Sequence, residues 1–217
     1  MSEKSLIEMH STMSNGRSSV WDTADGHSPL SVFFNLIYPI SAEAVDLIDK
    51  GSFPVAVKKG GFLIKPNQED KCLYLLMKGV IRAFIKEEGK EITTWINEEN
   101  EIVGSARSLG LADLPIEYLQ ALEDCSLIGI PYDLIEHLYH HHMETNIVGR
   151  LLLEDNYRGA EERAYICRIP SAGKRYRRFV DTHPGLINRI SLKYIASYLS
   201  MTNETLSRIR RKMMKNK

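Results

Sequence analysis

Ile190-Ser-Leu-Lys-Tyr-Ile-Ala-Ser-Tyr-Leu-Ser-Met-Thr-Asn-Glu-Thr-Leu-Ser-Arg-Ile-Arg-Arg-Lys212 reads as two short amphipathic helices joined by a tight turn. Ser191 is a natural N-cap, because its hydroxyl can accept from a backbone N–H left unpaired at the helix start. Leu192, Ile195, Ala196 and Leu199 then share one face. Ala196 is small where a crossing helix would come close. Ser200-Met201 makes the turn, with Met201 expected to point inward, and Ser200 stands where such turns favour Gly. Thr202 caps the second helix. Leu206, Ile209 and Met213 form its buried stripe, which leaves Asn203, Glu204, Ser207, Arg208 and Arg211 on the opposite face. The pattern is that of a helix-turn-helix, whose second helix can enter a DNA major groove with its N-terminal residues against base edges. A plain amphipathic hairpin is the competing account; two caps, a small crossing residue and two apolar faces in one register favour the first.

The side chains suit that geometry. Arg208 can donate a bidentate pair to guanine O6 and N7, and Glu204 can accept from cytosine N4. Ser191, Thr202 and Ser207, with the capped helix start, are expected on phosphates. Arg211, Lys212, Lys215 and Lys217 are expected to add sequence-independent attraction.

The charge distribution agrees. The chain of 217 residues has a formal net charge of zero, with 28 basic and 28 acidic residues. From Ile169 onward, twelve Lys and Arg stand against only Asp181 and Glu204, so this end carries +10 and the remainder −10. Such asymmetry fits one end meeting a polyanion; a solvated basic face is the alternative for charge alone. The hydrophobic fraction of 43% is ordinary for a globular chain and its length suits two small domains. No apolar run reaches the roughly 20 residues of a membrane span, and no signal peptide is legible, so a cytoplasmic location is expected. Cys72, Cys125 and Cys167 form neither a paired framework nor a metal motif.

Upstream the texture changes twice. Residues 1–28 read as a mobile polar arm, followed by a helical patch that includes 42–49. From Phe53 to about Ile130, short β-type runs alternate with turn signals: 53–57, 62–65, 72–77, 80–85, 92–96, 117–122 and 126–130. That spacing predicts a small antiparallel barrel or jelly roll. After Pro131 the period becomes helical. A short helix is expected over 132–139 and a long amphipathic one from about Glu144 to Ile169, closed by Pro170. Met143, Ile147, Leu151, Leu152, Tyr157 and Ala160 line a stripe near heptad spacing, which serves either pairing between subunits or packing on its own domain. The expected organisation is an arm over 1–28, a sensor domain over 29–142, a dimerisation helix over 143–169 and a helix-turn-helix domain over 170–217. The fold class is α+β.

Residues from about 30 to 212 resemble the Crp/Fnr superfamily of transcription regulators. The resemblance rests on Lys174-Arg-Tyr176, Phe179, Pro184-Gly-Leu186, Arg189-Ile-Ser-Leu-Lys-Tyr-Ile-Ala-Ser-Tyr-Leu199 and Glu204-Thr-Leu-Ser-Arg-Ile-Arg-Arg-Lys212, an ending similar to Bacteroidetes-type members. In the sensor, Lys78-Gly-Val-Ile-Arg82 and Glu88-Gly-Lys-Glu-Ile92 look like family turn motifs. The resemblance implies a cyclic-nucleotide-binding-type β-roll, a homodimer on palindromic double-stranded DNA, and contact with RNA polymerase. Glu204 and Arg208 fall on the family's base-reading positions, and Asn203 where a third reader sits.

Three departures shape the expectations. Cyclic-nucleotide members hold ribose with a Gly-Glu pair and phosphate with an Arg-Ser or Arg-Thr pair; here the corresponding stretches are Gly104-Ser105 and Pro115-Ile116. Without the Arg, no cation balances a buried phosphate, so cyclic AMP is not expected as effector and the pocket is read as degenerate. The arm before Pro29 contains no cysteine, which argues against an iron–sulfur cluster. No β-hairpin wing is legible after the second helix, and the basic tail is expected to supply phosphate contacts instead. No other cofactor is expected, and the effector stays open.

An enzyme is the rival class, since metal-dependent cupins share a β-roll. Their metal sites draw histidines from barrel strands, and no histidine lies between His27 and His137. His137 and His141 have i, i+4 spacing suited to zinc, but the cluster of His137, His140, His141 and His142 at a helix junction reads more simply as a solvated turn. A second rival keeps the roll as a ligand-binding module and gives the helical domain to protein contacts.

Overall fold

The computed structural model describes residues 21, 23, 26–105 and 114–215. Most of the expected arm, Lys217 and the side chain of Lys215 lie outside the described residues.

Two helices lead in, α1 (Pro29–Ile37) and α2 (Ala42–Gly51). Each has a serine at its N-cap: the Ser28 hydroxyl accepts from the Leu30 N–H and the Ser41 hydroxyl from the Ala44 N–H. Pro29 occupies the first turn of α1, where its missing N–H costs nothing.

Among the described residues eight strands follow: β1 (Phe53–Val57), β2 (Phe62–Ile64), β3 (Cys72–Lys78), β4 (Ile81–Glu87), β5 (Lys90–Asn97), β6 (Ile102–Val103), β7 (Tyr118–Ala121) and β8 (Cys125–Pro131). They form two four-stranded antiparallel sheets, ordered β1-β8-β3-β6 and β2-β7-β4-β5. Pro54 sits in β1, at a sheet edge, where a strand tolerates the lost donor. Ile64, Ile81, Ala83, Leu119, Ala121 and Leu127 meet between the sheets as one core. Gly79, between β3 and β4, has φ of +104°, and a Cβ there would lie 2.6 Å from the Cys125 sulfur. Only glycine satisfies both conditions.

Helices α3 (Tyr132–His141) and α4 (Met143–Arg168) follow Pro131, then α5 (Ala172–Thr182), a 3₁₀ turn (Leu186–Asn188), α6 (Leu192–Tyr198) and α7 (Asn203–Lys215). The antiparallel roll in front and the helices behind it are the expected α+β class. No described helix is long and apolar enough to cross a membrane. On α4, Val148 and Ile166 are buried and Ile147, Leu151 and Leu152 half-buried within the subunit. The exposed apolar residues of α4 include Met143, Leu153, Tyr157 and Tyr165, with Leu153 70% and Tyr157 63% exposed. Of the stripe read from sequence, Met143 and Tyr157 are exposed and Ile147, Leu151, Leu152 and Ala160 half-buried; Leu153 was not part of it.

The helical domain is not separate from the roll. Tyr176, Phe179, Leu186, Ile190, Ile195, Leu199 and Leu206 share one core cluster with Val80, Ile96 and Leu122 of the roll.

Candidate nucleic-acid interface

Helices α6 and α7 cross around Ala196, which is buried at their contact with Leu199 and Leu206. The turn between them is hydrogen-bonded throughout: Leu199 N–H donates to the Ile195 carbonyl, Ser200 N–H to Ser197, and Met201 N–H to Ala196 at 2.9 Å. Ser200 adopts φ of +51°, the left-handed conformation that Gly would take with less strain. Met201 packs inward against the core, as expected. Thr202 caps α7, its hydroxyl accepting from the Thr205 N–H at 3.2 Å. Ser191 has an extended N-cap backbone but makes no side-chain cap bond. Ser191 thus stands at the N-cap position read from sequence, with the expected side-chain bond not made.

Leu206 is fully buried under α7, with Ile209 and Met213 packed beside it. Asn203, Glu204, Arg208, Arg211 and Lys212 are exposed, and Ser207 is half-buried. Arg208 Nε donates to the Glu204 carbonyl, which lays the side chain back along the helix toward its N-terminal turn. The Glu204 carboxyl is held below the usual range, first by its own backbone N–H and then by the Thr202 hydroxyl, so it is an anion near neutral pH. Thr202, Asn203, Glu204, Ser207, Arg208, Arg211 and Lys212 therefore belong to one helix and its cap.

The basic charge is less free than the sequence count implies. Arg178 forms a bidentate pair with Glu162 at 2.6 and 2.7 Å. Arg189 pairs with Glu99 and Glu123 of the roll, and Arg175 bonds to the carbonyls of Ile169, Pro170 and Ser200. Among the described side chains of α7, the exposed cations are Arg208, Arg211 and Lys212.

Of the residues assigned to a degenerate effector pocket, Ser105 and Pro115 are buried and Ile116 is 53% exposed. Gly104 has a packing cause: a Cβ there would lie 2.6 Å from a Leu73 methyl carbon. Residues 106–113, between the two stretches, lie outside the described residues. Among the histidines, the rings of His137 and His141 stack with centroids 4.3 Å apart, and His141 Nδ1 meets the His137 carbonyl.

Sequence reading missed the seam between roll and reader. Arg82 on β4 is 1% exposed, with its guanidinium 4.0 Å from the Phe84 ring centre and 4.1 Å from that of Tyr194 on α6. It donates to Glu91 at 2.5 Å. The pairing of β4 with β5 slips between Ala83 and Phe84, so Thr94 is an extra residue. Beside this bulge the Thr93 N–H donates to the Ser197 hydroxyl at 2.9 Å, and that hydroxyl donates to the Glu91 carbonyl at 3.1 Å. Arg82 entered the sequence reading as the end of the Lys78-Gly-Val-Ile-Arg82 turn motif, and nothing in the sequence marked its burial against α6.

Residues 54–142 match the cyclic nucleotide-binding domain family. The chain is 34% identical over 86 residues to the HTH-type transcriptional regulator ArcR of Staphylococcus epidermidis, a match covering 40% of this chain and 37% of that protein. It is 26% identical over 168 residues to the fumarate and nitrate reduction regulatory protein of Vibrio cholerae, covering 70% and 65%. The matches thus span between about two fifths and two thirds of these relatives' lengths. In fold it is similar to a Crp/Fnr-family transcriptional regulator from Eubacterium rectale, with a TM-score of 0.67 at 19% identity over 85% of this chain and 88% of that one. Residues 54–142 thus match a cyclic nucleotide-binding domain, and the chain shares the two-part fold of a Crp/Fnr-family regulator.

Proposed function

We propose that this chain is a sequence-specific DNA-binding transcription regulator, not an enzyme, that reads palindromic sites as a homodimer. The observation that carries the reading is α7 itself. Leu206 anchors it from beneath while Glu204 and Arg208 stand exposed on its outer face, one turn apart, behind the Thr202 cap. A carboxylate and a guanidinium at that position complement cytosine and guanine edges. Arg211 and Lys212, with Thr202 and Ser207, suit flanking phosphates. The names of the curated relatives, regulators rather than enzymes, support the class.

The dimer reading rests on α4. Met143, Leu153 and Tyr157 are exposed apolar residues ten and four positions apart, a spacing that fits a and d places of a heptad and that a second copy of the helix would cover. Two α7 helices related by a two-fold axis would then face half-sites about one helical turn apart, roughly 34 Å. The roll is read as a sensor that does not take cyclic AMP, because Ser105 and Pro115-Ile116 stand at the positions matched to the family's ribose and phosphate partners.

Salt tests the DNA reading against a protein-docking role for the helical domain. Affinity for duplex DNA is expected to fall linearly in a log–log plot against salt, as counterions are released. No measurable duplex binding at low salt contradicts the reading.

A further inference from the structure

Beside the apolar cluster that Val80, Ile96 and Leu122 share with the helical domain, a polar seam joins roll and reader and leaves the outer face of the reading helix uncovered. Arg189, just before α6, reaches both carboxylate oxygens of Glu99 at 2.6 and 2.8 Å, and both of Glu123 at 2.8 and 3.2 Å. Arg82 reaches from the sheet in the other direction, inserted between Phe84 and Tyr194. Ser197 ties the β5 bulge to α6. Asn203, Glu204 and Arg208 stay exposed, so this contact orients α7 without masking it.

The seam is also incompletely satisfied. Arg82 Nε and Thr93 Oγ1 are buried with no hydrogen-bond partner among the described residues. Buried polar atoms left unpaired cost free energy, and these two lie beside the apolar cluster that joins roll and reader. Polar contacts at the margin of such a cluster can open locally while the cluster keeps its packing.

We propose that Arg82 and Arg189 are positioning residues: together they latch α6 and α7 onto the β4–β5 side of the roll, and this latch sets the angle of each reading helix relative to α4. This rests on the DNA-reading function proposed above and goes beyond it, because it assigns the spacing of the two half-sites to contacts with the roll as well as to the α4–α5 junction. A change in the β4–β5 hairpin, where Glu91 holds Arg82, is thereby passed to α7 without a contact to DNA.

The test has two arms, both on the full chain. In the first, without DNA, residue-resolved amide exchange is compared between the wild type, Arg189→Ala and the paired Glu99→Gln, Glu123→Gln variant. Exchange of the Thr93 amide, which Ser197 holds, is expected to quicken roughly tenfold or more as the seam opens, while the Leu76 and Leu199 amides keep their protection. Unchanged Thr93 protection with those amides intact overturns the latch. Arg189→Ala alone losing Leu76 protection marks a folding failure, and the isosteric glutamine pair then decides. In the second arm, Arg82→Lys keeps the charge but loses the planar stack. It is expected to retain wild-type affinity for a single half-site and to lose at least about fivefold of the preference between the matched palindrome and one with half-sites moved two base pairs apart. Retained spacing preference overturns the positioning role. Wild-type protein that binds no duplex contradicts the DNA reading alone, and the exchange arm still judges the latch.

Discussion

Arg189 and Glu99 form a bidentate pair across 90 residues of sequence, at 2.6 and 2.8 Å, joining the reader to the roll. The consequence for pH follows from Glu99. Hydrogen bonding from Arg189, and then from the Gly79 N–H, lowers its pKa from 4.5 to about 2. A carboxyl whose folded pKa is depressed contributes stability that is fully present above its unfolded value and lost as pH falls through the folded one. The seam should therefore be intact at pH 5 and weaken between about pH 4.5 and 2. The protection factor of the Thr93 amide measures it. Glu99→Gln should flatten that acid step, and an identical step in wild type and variant would show that Glu99 is not responsible.

Arg208 is expected to read a base. Arg208→Ala should cost about 1–3 kcal/mol on the specific duplex, relax preference at one position in each half-site, and change binding to scrambled DNA far less. Fluorescence anisotropy on matched and scrambled duplexes decides the point. Equal weakening on both would make Arg208 a phosphate clamp.

The exposed apolar residues of α4 predict a dimer that charge can break. Tyr157→Asp places a carboxylate in the centre of an apolar contact, where an unpaired charge is strongly disfavoured. Sedimentation at micromolar concentration is expected to show a dimer for wild type and a monomer for the variant. Because Tyr157 is 63% exposed in the subunit, the variant's melting temperature at low concentration should change little. A wild-type monomer, with and without DNA, would contradict the dimer.

Cyclic AMP is expected to give no heat of binding in calorimetric titration at ligand concentrations up to the millimolar range. Ser105 stands at the position matched to the ribose partner and Pro115-Ile116 at those matched to the phosphate partners, and Ile116 is 53% exposed. A saturable isotherm would overturn that assignment.

What was legible in the sequence is what depends on local periodicity. The caps and apolar faces of 190–212 report the two crossing helices directly, because burial of Leu206 and Leu199 obliges a 3.6-residue repeat. The alternating strands of 53–130 announced an antiparallel roll in the same way. The register of α4 was less legible. Its mixed face carries residues for two different neighbours, and a heptad count cannot tell Leu152, half-buried in its own subunit, from Leu153, 70% exposed. The seam was not legible at all. Arg82, Thr93, Ser197 and Arg189 acquire their roles from partners as far as 106 residues away, and each alone has the look of a surface residue. Counting Arg178 and Arg189 toward a basic DNA-binding face failed for the same reason, since their carboxylate partners lie in other elements.

Selection of bound sequences from a library of random duplexes tests the central claim most directly, because it asks α7 what it reads without assuming an operator. The account predicts enrichment of a two-fold palindrome whose half-sites lie about one helical turn apart, roughly 34 Å, with a guanine in each half-site that Arg208→Ala ceases to select. A pool that binds but shows no sequence enrichment after repeated rounds, or an enriched site without two-fold symmetry, would contradict it.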